Sequence, residues 1–589
     1  MTEPISSPPL ARYGNIFRLG LTIGLLGFML IGEFYLAGPG LRCHAQEPVF
    51  LFDNHFVMEF LSYPGGPVTL LGRLFSQLMY VPWLGALAMV LLLGLIGGLF
   101  GLLVGPSMIH WLPSILLFAL YCDYACPSGI ALGIALVIAA LIIYLRLEGR
   151  KWWIRLLGFC VIYTCCYYLT AGLSLVLASL VILHQLLYRR AGPALAYLAM
   201  SLAIPYLFAS MVFPVHWPDA YIDGLSRFDG YKHGWMTWLV YGSLAAMVGL
   251  RPIMLGKTSW RAPLAGPVTA AAVILGGALA VSLCIDRSAR RVLLIDYYAA
   301  RRDWDRVLAI GGRARANDAY VQYQLNRALY HHGQLLDRMF EFVQYPGRSL
   351  FLKDPLTRLR PLAHSDLFMD LGLVNEAEHW AYEAVEIKGY TARNLARLGE
   401  VHLLKGQTAI ASKYLAMLRA TPWHRRLADR YGRYLADANL VAEDPYLGQV
   451  LKAMPQEDFL VAPEYPEFCL LELVKDPNNT MAFEYYMAQC LLEGDLKGLV
   501  RYLPRLEQPK YTRIPRHLEE AIMIWMQLPG AKLPLDARRI SDQTIRRFND
   551  FTKVLMDLHG DRHAAARQLA RYWDTYWFYW QYVVSGGRS

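Results

Sequence analysis

The chain has 589 residues, of which 55% are apolar and only 18% charged, and its formal net charge is +10. That balance is too apolar for an ordinary soluble enzyme and points to a membrane protein. The basic residues are dispersed and build no nucleic-acid motif, so the positive charge does not argue for a nucleic-acid partner.

Charge is unevenly distributed. Of the 57 Lys and Arg, 15 precede Asp286, and of the 47 Asp and Glu, 10 do, which leaves 42 and 37 from Asp286 onward. The first part is therefore nearly uncharged and the second has the composition of a soluble domain. The expected architecture is all-α, with a polytopic transmembrane domain over 1–286 and a helical-repeat domain over 287–589.

In chain order, nine apolar stretches of roughly membrane-spanning length predict spans at 14–37, 82–104, 107–123, 128–146, 153–170, 172–188, 194–214, 234–250 and 264–284. The fifth and sixth are joined by little more than Leu169 to Ser174, which predicts a tight helical hairpin. With the N-terminus inside, the inner connectors hold Arg12, Arg146, Arg150, Lys151, Arg155, Arg189, Arg190, Arg251, Lys257 and Arg261, against Arg42, Arg73, Arg227 and Lys232 outside. The positive-inside rule then puts the C-terminal half outside, in the periplasm of a cell whose inner membrane holds the first half.

Two outer connectors, 38–80 and 215–233, concentrate polar chemistry. In "FDNHFVMEFLSYPGGPV" the rings of Phe52, Phe56 and Phe60 recur every four residues, and His55 and Glu59 share another face of the same short helix. Pro64, Gly65 and Gly66 stop that helix, and a second helical stretch carries Arg73 and Gln77 into the next span. This layout predicts Asp53, Glu59 and Arg73 near the membrane surface, where ionisable groups are costly unless paired or used. The second connector offers His216, Asp219, Asp223, Arg227 and Lys232 among aromatics, a mixture suited to sugars and phosphates and equally to a solvated loop. His55 and Glu59 at i,i+4 are two potential ligands for a divalent metal, and no other cofactor is indicated.

After Val292 the pattern becomes paired amphipathic helices. Turn glycines Gly372 and Gly406 lie 34 residues apart, the tetratricopeptide period, and Gly333 and Gly494 mark looser copies. Stacking of such pairs predicts an α-solenoid, and a generic helical bundle is the alternative. The tail "RYWDTYWFYWQYVV", Arg571 to Val584, reads as a closing helix buried among the last repeats; a membrane-interface contact and a carbohydrate platform are its other readings. Nine cysteines form no CxxC pair; Cys122 and Cys126 read as packing, and Cys469 and Cys490 are one potential disulfide.

Two resemblances follow from these residues. An acidic first outer loop bearing helices, in a multi-pass chain with an outer C-terminal domain, resembles the GT-C class of lipid-linked-sugar glycosyltransferases, carried here by Asp53 and Glu59. The resemblance implies a polyprenyl-phosphate sugar donor, with Asp53 or Glu59 as catalytic base and His55, Arg73, Gln77, His216, Asp219, Asp223, Arg227 and Lys232 around the substrate. The chain is also similar to an uncharacterised family of bacterial envelope proteins in which "YPGG" and "PWLGA" (Pro82 to Ala86) precede the membrane domain. That likeness covers nearly the whole chain and implies no activity. A membrane-anchored scaffold recruiting an envelope protein or glycan is the non-enzymatic expectation. The spans hold almost no charge besides Glu33, which argues against an ion-coupled carrier, and GxxxxGK[ST], HExxH and GxSxG are absent.

Overall fold

The computed structural model describes residues 9–36, 38, 40, 42, 47–105, 107–124, 126–213, 215–225, 234–255, 267–312, 318–353, 360–457, 459, 461–462, 464–508, 511–535, 540–557 and 566–585. Every regular element among them is helical. The chain divides into two compact units, Met1–Arg290 with Arg419–Arg425, and Arg291–Leu418 with Arg426–Ser589.

The first unit contains α1 (Pro9–Tyr35), α2 (Asn54–Leu61), α3 (Gly66–Leu78), α4 (Pro82–Val104), α5 (Leu112–Tyr121), α6 (Gly129–Leu145), α7 (Trp152–Thr170), α8 (Ser174–Leu187), α9 (Ala191–Met211), α10 (Asp219–Ile222), α11 (Gly234–Leu255) and α12 (Pro267–Cys284). Helix α4 shows how the sequence builds this unit. Met89, Leu93, Ile96 and Phe100 are buried against neighbouring helices, while Leu91, Leu95 and Leu102 are exposed at 64%, 55% and 74%. A helix apolar on both faces, with its outer face uncovered by protein, is stable only where that face meets lipid rather than water.

Four helical stretches are long and apolar enough to cross a membrane: Pro82–Val104, Trp152–Leu187, Ala191–Met211 and Trp235–Leu255. The bent pair Val268–Cys284 with Arg287–Ala300 raises this to five. The expectation of nine is corrected accordingly. Leu19–Tyr35, Met108–Tyr121 and Gly129–Leu145 are shorter apolar helices. The third expected span fails because a 3₁₀ turn over Met108–Trp111 leaves α5 only 10 residues, about 15 Å at 1.5 Å per residue.

The 36-residue stretch Trp152–Leu187 is not straight. Arg155 Nη2 and Gln185 Nε2 both donate to Tyr144 Oη, at 3.2 and 2.8 Å. In a continuous helix these two residues would lie about 45 Å apart. The chain reverses at Ala171, whose φ is +47°, so the hairpin expected over Leu169 to Ser174 is present.

The second unit holds most of α13 (Arg287–Ala300) and then α14 (Trp304–Gly311), followed by helix pairs: α15 (Ala319–His331) with α16 (Leu335–Arg338), α17 (Arg360–Leu371) with α18 (Val374–Lys388), α19 (Ala392–Leu404) with α20 (Thr408–Arg419), and α21 (Thr480–Glu493) with α22 (Leu496–Tyr502). Gly333, Gly372, Gly406 and Gly494 each sit between the members of a pair with positive φ. Gly372, at φ +86°, has a second reason to be glycine, because a Cβ there would run into the carbonyl of Ala453. Small residues set the approach within a pair: Ala377 is fully buried and its carbonyl accepts from Ser365 Oγ at 2.7 Å.

The aromatic tail is packed inside this unit as a run of short turns rather than one long helix: a 3₁₀ turn over Leu569–Tyr572, four α-helical residues Tyr576–Tyr579 and a π turn over Trp580–Val584. Trp577 Nε1 donates to the Glu520 carbonyl at 2.9 Å, and Tyr579 Oη to the Leu492 carbonyl at 3.1 Å. Cys469 and Cys490 are buried free thiols, so the potential disulfide is not formed. Cys122 and Cys126 are likewise buried.

Candidate functional site

Asp53 is the N-cap of α2. Its backbone is extended (φ −135°, ψ 135°), and its carboxylate accepts from the Phe56 backbone N–H at 3.1 Å. His55 and Glu59 lie on the same short helix and are exposed. Of the aromatic stripe only the far end faces inward: the Phe56 and Phe60 rings are 5.0 Å apart and Phe60 is buried, while Phe52 is exposed. Arg73, on α3, lies over the Phe60 ring at 4.5 Å and over Phe56 at 5.8 Å, a cation–π arrangement. Burial lowers the pKa of Arg73, opposed by Tyr63, Glu59 and Glu47. Gln77 is buried, with its amide 3.4 Å from Ser76 Oγ. The Gln77 backbone carbonyl accepts from Nε1 of Trp423, within the 419–425 stretch that belongs to this unit, at 2.6 Å.

In the second connector His216 Nδ1 is 3.8 Å from Asp219 Oδ2, with both side chains well exposed. The Asp223 carbonyl accepts from Gly172 N–H at 2.6 Å. Arg227 and Lys232 lie outside the described residues. No group of three or more His, Cys, Asp or Glu side chains that would hold a metal ion occurs among the described residues.

The two connectors meet the same turn. Gly65 N–H donates to the Tyr168 carbonyl at 2.9 Å, Tyr168 Oη to the Leu61 carbonyl at 2.8 Å, and Gly172 N–H to the Asp223 carbonyl at 2.6 Å. Gly172 has no room for a side chain, since a Cβ would collide with the Tyr221 carbonyl. At this same end Tyr124 Oη donates to the Leu36 carbonyl (3.0 Å), Ser128 Oγ to Glu47 (3.2 Å), and Arg290 to the Tyr35 carbonyl (3.0 Å). Beside it is an apolar groove of about 300 Å³ whose wall includes Leu175, Val176, Leu225, Trp238 and Tyr241.

The opposite end carries a polar cluster that sequence reasoning missed. Tyr144 Oη receives Arg155 and Gln185 and donates to Tyr197 Oη at 2.9 Å. Glu148 pairs with Arg251 at 3.0 Å and lies 3.5 Å from His184. Arg155, His184 and Gln185 are all buried. In the sequence each looks like an ordinary residue at the end of a span, and only the helix reversal brings them together.

The second unit holds a larger buried network. Arg393 bridges Asp296 (3.0 Å) and Asp366 (2.6 Å), and Arg397 bridges Asp366 (2.7 Å) and Glu400 (3.0 Å). Asp370 receives Arg327 at 2.6 Å, His331 at 3.1 Å and Arg302 at 3.4 Å. Tyr320 and Gln324 connect the two halves of the network through Asp296 and Arg327. Burial alone would raise the carboxyl pKa values, but the arginines outweigh it and hold Asp366 below, and Asp370 well below, the usual range. These charges are paired with one another inside the stack of helices.

An open polar cleft of about 510 Å³ lies elsewhere on the same unit, lined by Arg338, Glu341, Arg547, Arg571, Trp573 and Asp574 among others. Of these, the sequence singled out only the aromatic tail that contributes Arg571, Trp573 and Asp574.

A family model matches residues 12–583, and its description is "Family of unknown function (DUF6057)". The chain belongs to this family. No curated protein and no solved structure matches it.

Proposed function

We propose that this family member is a membrane-anchored capture protein of the bacterial cell envelope. Its first unit crosses the inner membrane through its long apolar helices, such as α4, α9 and α11, with the shorter apolar helices α5 and α6 packed among them. Its second unit, a tetratricopeptide-like stack of helix pairs, holds an envelope protein or glycan on the outer side. One observation carries this reading. The candidate catalytic carboxylates are a helix cap (Asp53) and an exposed side chain (Glu59), whereas an open cleft with an exposed tryptophan and a guanidinium lies on the second unit. Crossings in both directions are supported by the hairpin of α7 and α8: the connectors after α7 and α9 meet at one end of the first unit, and those after α6 and α8 at the other. Single cysteines at positions 59 and 573 are expected to react with a membrane-impermeant thiol reagent in intact cells. A photo-crosslinking residue at 573 is expected to trap an envelope component. Labelling only after lysis, or no adduct at 573, overturns the reading.

A second reading is a GT-C-like glycosyltransferase using a polyprenyl-phosphate sugar, and the apolar groove beside the second connector favours it. The prenyl chain would lie along Val176 and Tyr241. Asp53 or Glu59 would take the acceptor hydroxyl proton, a contribution of about 10² to 10⁴ in rate. Arg73, Arg227 and Lys232 would stabilise the departing phosphate.

A further inference from the structure

We propose that the arginine–tryptophan cleft of the second unit binds an anionic saccharide, a sugar bearing a carboxylate or phosphate. The inference rests on the capture reading and gives its partner a chemical class. The cleft is walled by Leu308 on α14, by Arg338, Glu341 and Phe342 at the end of α16 and beyond, by Arg547 on the helix Asp542–Asp557, and by Arg571, Trp573 and Asp574 of the tail. About 510 Å³ falls in the usual range for small-molecule sites.

The three arginines are not equivalent. Arg338 is fully engaged: its Nε and Nη2 reach Glu341 at 2.9 and 2.8 Å, and its Nη1 reaches Gln334 at 2.8 Å. Arg547 has only a long pair, 3.4 Å to Asp574. That carboxylate is shared, because Arg516 holds it at 2.9 Å. Burial would raise the Asp574 pKa, but Arg516 and Arg547 outweigh it and hold the group below the usual range, so it stays charged. Arg571 has no acidic partner among the described residues; its guanidinium lies 4.9 Å from the Tyr572 ring centroid, and Arg547 lies 5.8 Å from the same ring.

Two guanidinium groups thus lie beside one aromatic ring, and the Asp574 carboxylate next to them is divided between Arg547 and Arg516. Such forks take a carboxylate or phosphate through paired N–H donors. Trp573, 54% exposed, adds a flat amphipathic surface beside them for the apolar face of a sugar ring. Glu341 and Asp574 would accept from sugar hydroxyls. The same two carboxylates would repel an acidic peptide, and this favours a saccharide with one anionic group over a polyanionic chain.

The test is equilibrium binding to the full-length protein in phosphatidylcholine nanodiscs, with four probes: a glucuronate-containing disaccharide, glucose 6-phosphate, maltose and a short poly-glutamate peptide. At least one anionic sugar is expected to bind tenfold or more tightly than maltose, and the better of the two identifies the anionic group. Arg571→Ala is expected to weaken that binding at least tenfold, Arg571→Lys to weaken it less, and Trp573→Ala to weaken it, all without change in thermal unfolding. Equal binding of maltose, tighter binding of the peptide, or unchanged affinity in Arg571→Ala overturns the proposal. If photo-crosslinking at 573 still captures an envelope component while no anionic sugar binds, the saccharide class falls and the capture reading stands.

Discussion

Asp53 and Asp370 are both aspartates that contact a helix, and they have opposite fates. Asp53 sits at an exposed helix start and answers one backbone N–H. The Asp370 side chain is 1% exposed, within reach of Arg327, His331 and Arg302. Position in the topology drew attention to the first. Burial, which the sequence does not print, makes the second the more consequential for stability. The comparison teaches that a carboxylate at an exposed helix start serves its own backbone, whereas one inside a stack of amphipathic helices must be held by cations from other helices.

The sharpest way to break this comparison is Asp370→Asn. The substitution leaves Arg327 buried without its counter-charge, and breaking a buried pair from one side costs about 3–5 kcal/mol. Hydrogen–deuterium exchange on the full-length protein is expected to show that loss of protection across α15 and α17, with little change in α4. Unchanged exchange in α15 would show that Arg302, Arg327 and His331 do not depend on this carboxylate.

Acid is the milder version of the same perturbation. Burial lowers the pKa of His331, with Asp370 and the nearby arginines as further influences. Its unfolded state therefore binds a proton more readily, and stability falls as pH drops through about 6.5. Asp366 and Asp370 have folded pKa values below the ordinary carboxylate range. Their contribution is present above about pH 4 and is lost as pH falls from there toward the folded values. Protection in α15 and α17 is expected to decline in those two steps, while α4 protection stays flat. A flat profile for α15 would contradict the assignment of these groups as buried and charged.

What was legible in the sequence follows the range of the interactions. The helix pairs around Gly372 and Gly406 are written in a local period, and the hairpin at Leu169 to Ser174 in the shortness of its connector. The stop after Phe60 is written in Pro64, Gly65 and Gly66. Span count was less legible, because hydropathy does not reveal that Met108–Trp111 tightens into a 3₁₀ turn. The polar clusters were not legible at all. Asp366 with Asp370, and Arg393 with Arg397, are i,i+4 repeats on amphipathic helices, the ordinary signature of a solvated face. Only packing from other helices turns them inward. Tyr144, Arg155 and Gln185 likewise meet through a chain reversal that no local pattern encodes.

The smallest expected effect is the one that separates the two functional readings. In the double variant Asp53→Asn, Glu59→Gln, asparagine caps a helix as well as aspartate does, and Glu59 is an exposed charge whose interaction with Arg73 is screened by solvent. Stability is therefore expected to change by no more than about 0.5 kcal/mol. Because the fold is indifferent to this pair, a glycan-transfer assay on membranes containing the double variant reports chemistry alone. Transfer that survives removal of both carboxylates leaves the glycosyltransferase reading without a base. Transfer lost at unchanged protection in α2 and α3 means that one of these side chains handles a proton, and the capture unit then serves to present the acceptor.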